Sequence, residues 1–105
     1  MINIDFNPNT LELEITGHAN HGEKGEDIVC AAISTLFYTL GETLNQSSDM
    51  LDGVAFEDKD GRGYLTCSPK KGFTPNIACM YRTILIGMEL VASNYPENVT
   101  FKVVG

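Results

Sequence analysis

The chain has 105 residues, 43% hydrophobic and 20% charged, which is enough for one folded core and too little for two domains. Fourteen acidic against seven basic residues leave a net charge of -7, which excludes a nucleic-acid backbone as a direct ligand and suits a cationic partner. No apolar run reaches the ~20 residues of a bilayer span and no leader pattern opens the chain, so a cytoplasmic protein with reduced thiols at Cys30, Cys67 and Cys79 is expected.

Ile2, Ile4 and Phe6 alternate with Asn3, Asp5 and Asn7, and Leu11, Leu13 and Ile15 alternate with Glu12, Glu14 and Thr16. Period-two patterning on both sides of the turn signal Asn7-Pro8-Asn9 predicts a hairpin. Residues 17–26 hold three glycines and show no periodicity, which predicts a mobile loop. From Asp27 onward Ile33, Phe37, Leu40 and Leu44 recur at helical spacing, with Asp27 placed to cap the helix, which should fade around 45–48. Val54-Ala55-Phe56 and Tyr64-Leu65-Thr66-Cys67 flank the turn Asp58-Lys59-Asp60-Gly61 as a second hairpin. Ile77, Met80, Tyr81, Ile84, Met88 and Val91 mark a second helix over about 76–93, ended by Pro96, and Val99, Phe101 and Val103 form a last strand. The expected fold is one α+β domain over 1–105, with two helices on a mostly antiparallel sheet in the order strand-strand-helix-strand-strand-helix-strand.

Chemistry concentrates between Gly17 and Ser34. A helix starting at Asp27 places Cys30 in its first turn, where unpaired amides and the positive end of the helix dipole favour the thiolate. His18 and His21, the two histidines of the chain, lie within twelve residues of it. Either can take the thiol proton and return it to a leaving amine. Amides of the glycine loop and the helix start can hold an oxyanion. An Asp27 cap competes here, because a carboxylate bound to the Cys30 amide removes that donor.

Other readings of the same residues are blander. Cys30 can be a small buried hydrophobe, the loop a plain connection and the histidines surface residues. Cys67 on a strand and Cys79 in a helix read as core or near-core thiols. His18, His21 and Cys30 can be counted as three metal ligands, but tight knuckles are missing, and no metal is expected. Gly22-Glu23-Lys24-Gly25 lacks the Gly-Lys-Ser/Thr ending of a phosphate loop.

Gly17-His18-Ala19, His21-Gly22, Gly25 and Asp27-Ile28-Val29-Cys30-Ala31-Ala32, at their fixed spacing, resemble the signature of the ribosomal-processing cysteine proteases, the Prp family of bacteria. Ala32 departs from those relatives that carry glycine there. The resemblance implies a cysteine endopeptidase that removes the N-terminal extension of a large-subunit ribosomal protein, cutting after a short apolar and aromatic sequence. It implies Cys30 as nucleophile, His18 as general base and acid, and the family's aspartate at Asp27, to orient the base or cap the helix. It implies a lid and oxyanion loop carrying Gly17, Gly22 and Gly25, no cofactor, and a homodimer. His21 fits the pattern with no role assigned. The rival reading is a non-catalytic peptide-binding module acting in ribosome assembly, which has no need of a reactive thiol.

Overall fold

A computed structural model describes residues 1–17 and 24–105, with backbone alone for 24–27. Its elements are β1 (Ile2–Asn7), β2 (Glu12–Thr16), α1 (Lys24–Asn45), a 3-10 turn at Ser48–Met50, β3 (Leu51–Lys59), β4 (Arg62–Pro69), α2 (Thr74–Asn94) and β5 (Val99–Val103). The expected α+β order is the observed one. His18, His21 and Gly22 lie outside the described residues.

Alternation builds the sheet. Ile2, Ile4 and Phe6 of β1 and Leu13 and Ile15 of β2 turn inward and are buried. The strand order is β3-β4-β2-β1-β5. All pairings are antiparallel except β1 with β5, which run parallel with Ile2 beside Val99. Leu11 belongs to the first turn rather than to β2: its φ is 62° and its N–H bonds Asn7 O at 2.8 Å. The second hairpin closes on Asp60-Gly61, both left-handed (φ 51° and 76°), the pair of conformations that joins strands through two residues.

Both helices cover one face of this sheet. Val29, Ile33, Phe37, Leu40 and Leu44 of α1 and Ile77, Tyr81, Ile84 and Met88 of α2 are buried against it. Each such side chain contributes about 1.5–3 kcal/mol of burial. By length and composition the segment Ile28–Asn45 could cross a membrane, contrary to the sequence reading. Here its apolar stripe is spent on the sheet instead. The helices meet closely, since a Cβ on Gly87 would lie 3.0 Å from the Leu36 side chain.

Candidate active site

The start of α1 differs from expectation. The helix begins at Lys24, so residues 24–26 are helical rather than loop, Gly25 among them, and Asp27 is the fourth helical residue rather than a cap. Cys30 is the seventh. The unpaired amides of an α-helix belong to its first turn, and the dipole field fades within that turn. Cys30 therefore sits past both of the influences invoked for it. An oxyanion donor from the helix has to come from residues before Asp27.

Gly17 also differs in role. Its φ is 78°, and its N–H donates to Gly61 O at 3.2 Å, so this amide is already engaged. Gly17 anchors the end of β2 to the β3–β4 turn.

Cys30, Ser34, Tyr38 and Gly41 follow at intervals of four, four and three, which puts them on one flank of α1. That flank faces the β3–β4 hairpin. Phe37 fills the space over Gly63, where a Cβ would lie 2.9 Å from its ring. Phe37 and Phe56 stack with centroids 4.9 Å apart, and Tyr38 lies 5.5 Å from Phe56. The Tyr38 hydroxyl donates to Asp58 Oδ2, and this bond holds the phenol above its ordinary pKa. Ile15, Ile33, Ser34, Tyr38, Asp58 and Gly63 line a cleft of about 10 Å³ beneath that bridge, at the lower limit for one water. About two helical turns beyond Cys30, α1 is thus locked to the sheet.

The three thiols are distinct, and none is in a disulfide. Cys30 is half-buried, against the rim of the core. Cys67 is buried, 3.6 Å from the Tyr81 hydroxyl, and desolvation pushes its pKa up, which keeps it a protonated thiol. Cys79 is exposed on α2. Of the three, Cys30 alone is half-buried on the α1 flank that faces the β3–β4 hairpin. Among the described residues no three His, Cys, Asp or Glu side chains cluster as metal ligands. The metal reading of His18 and His21 falls outside those residues.

Sequence reasoning missed Ser34, Tyr38 and Asp58. Ser34 and Tyr38 were within reach as the residues four and eight beyond Cys30. Asp58 needed the register of β3, which pairs it with Gly63. The outer face of the sheet carries a separate polar set, with Tyr64 donating to Glu12 at 2.5 Å and Arg62 to Glu14 at 2.5 Å. The Tyr64 bond lowers the Glu12 pKa. These groups lie on the face of the sheet opposite to α1.

Comparison with known proteins adds identity to this geometry. Residues 1–100 match the family described as Cysteine protease Prp. A ribosomal processing cysteine protease Prp from Staphylococcus aureus (strain Mu50) is 27% identical over 104 residues, covering 94% of this chain and 95% of the relative. One of the same name from Mycoplasma genitalium is 30% identical over 99 residues, covering 94% and 92%. The crystal structure of the S. aureus protease with a substrate peptide superposes with a TM-score of 0.80 at 21% identity, over 99% of this chain and 100% of that one. SMU.848 from Streptococcus mutans gives 0.71 at 32% identity, over 98% and 91%.

Proposed function

The chain belongs to the Prp family of cysteine proteases and is a hydrolase of that class, and on this footing we propose that Cys30 is its nucleophile, His18 its base, and the N-terminal extension of a ribosomal protein its substrate. The observation that carries the reading is the position of Cys30, half-buried on an α1 flank in the run Asp27–Ala32, while Cys67 is buried and Cys79 lies on another helix. The relatives' names supply the substrate class. Processing of a ribosomal protein would take place in the cytoplasm.

The reaction then runs in two halves. His18 takes the Cys30 proton and Sγ attacks the scissile carbonyl carbon. The oxyanion is held by backbone amides of residues 18–26. The C–N bond breaks as His18 returns the proton to the leaving amine. Water, deprotonated by His18, attacks the thioester, the C–S bond breaks, and the proton goes back to the thiolate. The Tyr38–Asp58 bridge fixes the helix that carries the nucleophile, so its aim is held by α1 itself. Asp27, three residues before Cys30, is left as an orienting residue rather than a cap.

A homodimer accompanies this reading. Arg82, Ile86 and Glu89 are exposed along one stripe of α2. Two copies packed antiparallel about a two-fold axis between Leu85 and Ile86 would set Arg82 against Glu89 twice. Sedimentation should give a dimer for the unaltered chain, a monomer for Arg82→Glu, and a dimer again for Arg82→Glu with Glu89→Arg. A monomeric unaltered chain ends this part of the proposal.

The direct test is incubation with a peptide carrying the extended N-terminus of a bacterial large-subunit ribosomal protein, read by mass. One cleavage, lost in Cys30→Ser, is expected. An intact peptide after incubation with folded protein overturns the assignment.

A further inference from the structure

The flank of α1 that carries Cys30 continues past the Tyr38–Asp58 bridge as an open groove. Its floor and walls are Tyr38, Gly41, Glu42, Asn45, Val54 and Phe56, around a volume of about 530 Å³. Gly41 lets the Phe56 ring settle against α1 as the floor of this groove: a Cβ there would lie 2.4 Å from that ring. Tyr38, Val54 and Phe56 are 49%, 42% and 38% exposed, an apolar surface that continues outward from the core residue Phe37. The opposite wall, β3, is the edge of the sheet, so its outer backbone groups face solvent. The one charge among the lining residues is the Glu42 carboxylate, and β3 itself carries Asp52, Glu57 and Asp58 against Lys59.

We propose that this groove is a substrate exosite that takes an extended, basic stretch of the peptide along the β3 edge and seats one bulky apolar side chain on Phe56 beside Gly41. The inference rests on the protease reading and deepens it. Three observations select this occupant. The groove is continuous with the Cys30 flank through Tyr38, which lines both the closed cleft and the open groove. An exposed edge offers main-chain hydrogen bonds to an added strand, whose alternate side chains then face α1. The charge that lines the groove is acidic, at Glu42, which favours a cationic segment over an anionic one.

The geometry also sets a spacing. Cys30 and Gly41 are eleven residues apart on one helix, about 16 Å at ~1.5 Å per residue. An extended peptide covers that in roughly five residues at ~3.3 Å each. The anchoring side chain therefore lies about four to five residues from the scissile bond.

The test is a coupling measurement on Cys30→Ala protein, which binds without cutting. Fluorescence anisotropy gives Kd for a ribosomal-protein N-terminal peptide and for peptides with each apolar residue on either side of the scissile bond changed to glycine. One change, four to five residues from that bond, should weaken binding about tenfold. In Cys30→Ala with Val54→Lys, the parent peptide should lose a similar factor, and the same glycine change should then cost less than threefold. Glu42→Lys should weaken binding and flatten its salt dependence. Circular dichroism confirms that each variant is folded; Val54 and Glu42 are exposed.

Additive losses, an anchor at no position in the window, or no binding by folded protein each overturn the exosite. Cleavage by the unaltered chain, scored separately, keeps the two ideas apart. Cutting without coupling sinks the exosite alone. Coupled binding without cutting sinks the protease assignment and leaves a peptide-binding groove.

Discussion

Gly17 and Met1 are in backbone contact. A Cβ on Gly17 would lie 2.3 Å from the Met1 carbonyl oxygen, and Gly17 already holds φ 78°. Gly17→Ala must therefore both strain its own backbone and push β1 away. It should cost about 2–3 kcal/mol in denaturant unfolding. Gly25→Ala should do the opposite, because Gly25 is helical and alanine gains up to ~1 kcal/mol in a helix. If Gly25→Ala lowers stability as much as Gly17→Ala, the start of α1 at Lys24 is wrong.

The thiols should react in a fixed order. Alkylation near neutral pH should label Cys30 before the more exposed Cys79, because the proposed His18 base favours its thiolate, and Cys67 only when the fold opens, since burial keeps that thiol protonated. Cys30→Ser should abolish cleavage and leave Tm within a few degrees. Cleavage by the serine variant within tenfold of the parent rate would remove Cys30 from the reaction.

His18→Ala should lower kcat/KM by ~10²–10⁴-fold, the usual worth of general acid–base catalysis. His21→Ala should cost under tenfold. Equal losses at the two positions would mean that the base is not His18 alone.

Periodicity was a good guide wherever one face of an element meets the core. Ile2, Ile4 and Phe6, or Ile33, Phe37, Leu40 and Leu44, carry their period openly and are buried as expected. Ends were harder. Asp27 looks like a cap because it is a good one, yet Lys24-Gly25-Glu26 continue the helix upstream in spite of glycine's poor propensity. β3 runs from Leu51 to Lys59, well past Val54–Phe56, because pairing with β4 recruits Gly53, Glu57 and Asp58, all weak strand formers, with Asp52 carried in the register shift between Leu51 and Gly53. In the candidate site, the placement of Cys30 on a helix was legible from the pattern after Asp27. The Tyr38–Asp58 bridge was not, since it depends on which rung of β3 passes α1.

Alkaline pH should destabilise the protein through Tyr81. This phenol is buried, and desolvation first, then its contact with Cys67, raises its pKa above the ordinary value. A raised folded pKa means that the stabilisation is whole below about pH 10, where an unfolded tyrosine titrates, and is lost as pH climbs toward the folded value. Tyr38 and Tyr64 are raised in the same direction by their carboxylate partners. Unfolding free energy should drop between pH 9 and about 11. Tyr81→Phe should reduce that drop while costing about 1 kcal/mol at pH 8. An identical drop in the variant would show that Tyr81 does not drive it.

The parallel pairing of β1 with β5 joins the first strand to the last, with Ile2 beside Val99. Contacts so remote in sequence form late, because the loop they close is nearly the whole chain. The β1–β2 hairpin can form locally, but until Val99–Val103 arrives β1 is an unguarded edge with Ile2, Ile4 and Phe6 beside it. A nascent or truncated chain ending before Val99 should therefore recruit strands from other molecules and aggregate. β5 covers that edge of β1 and becomes the sheet's outer strand there, a short one carrying Lys102, so its docking ends the exposure of β1.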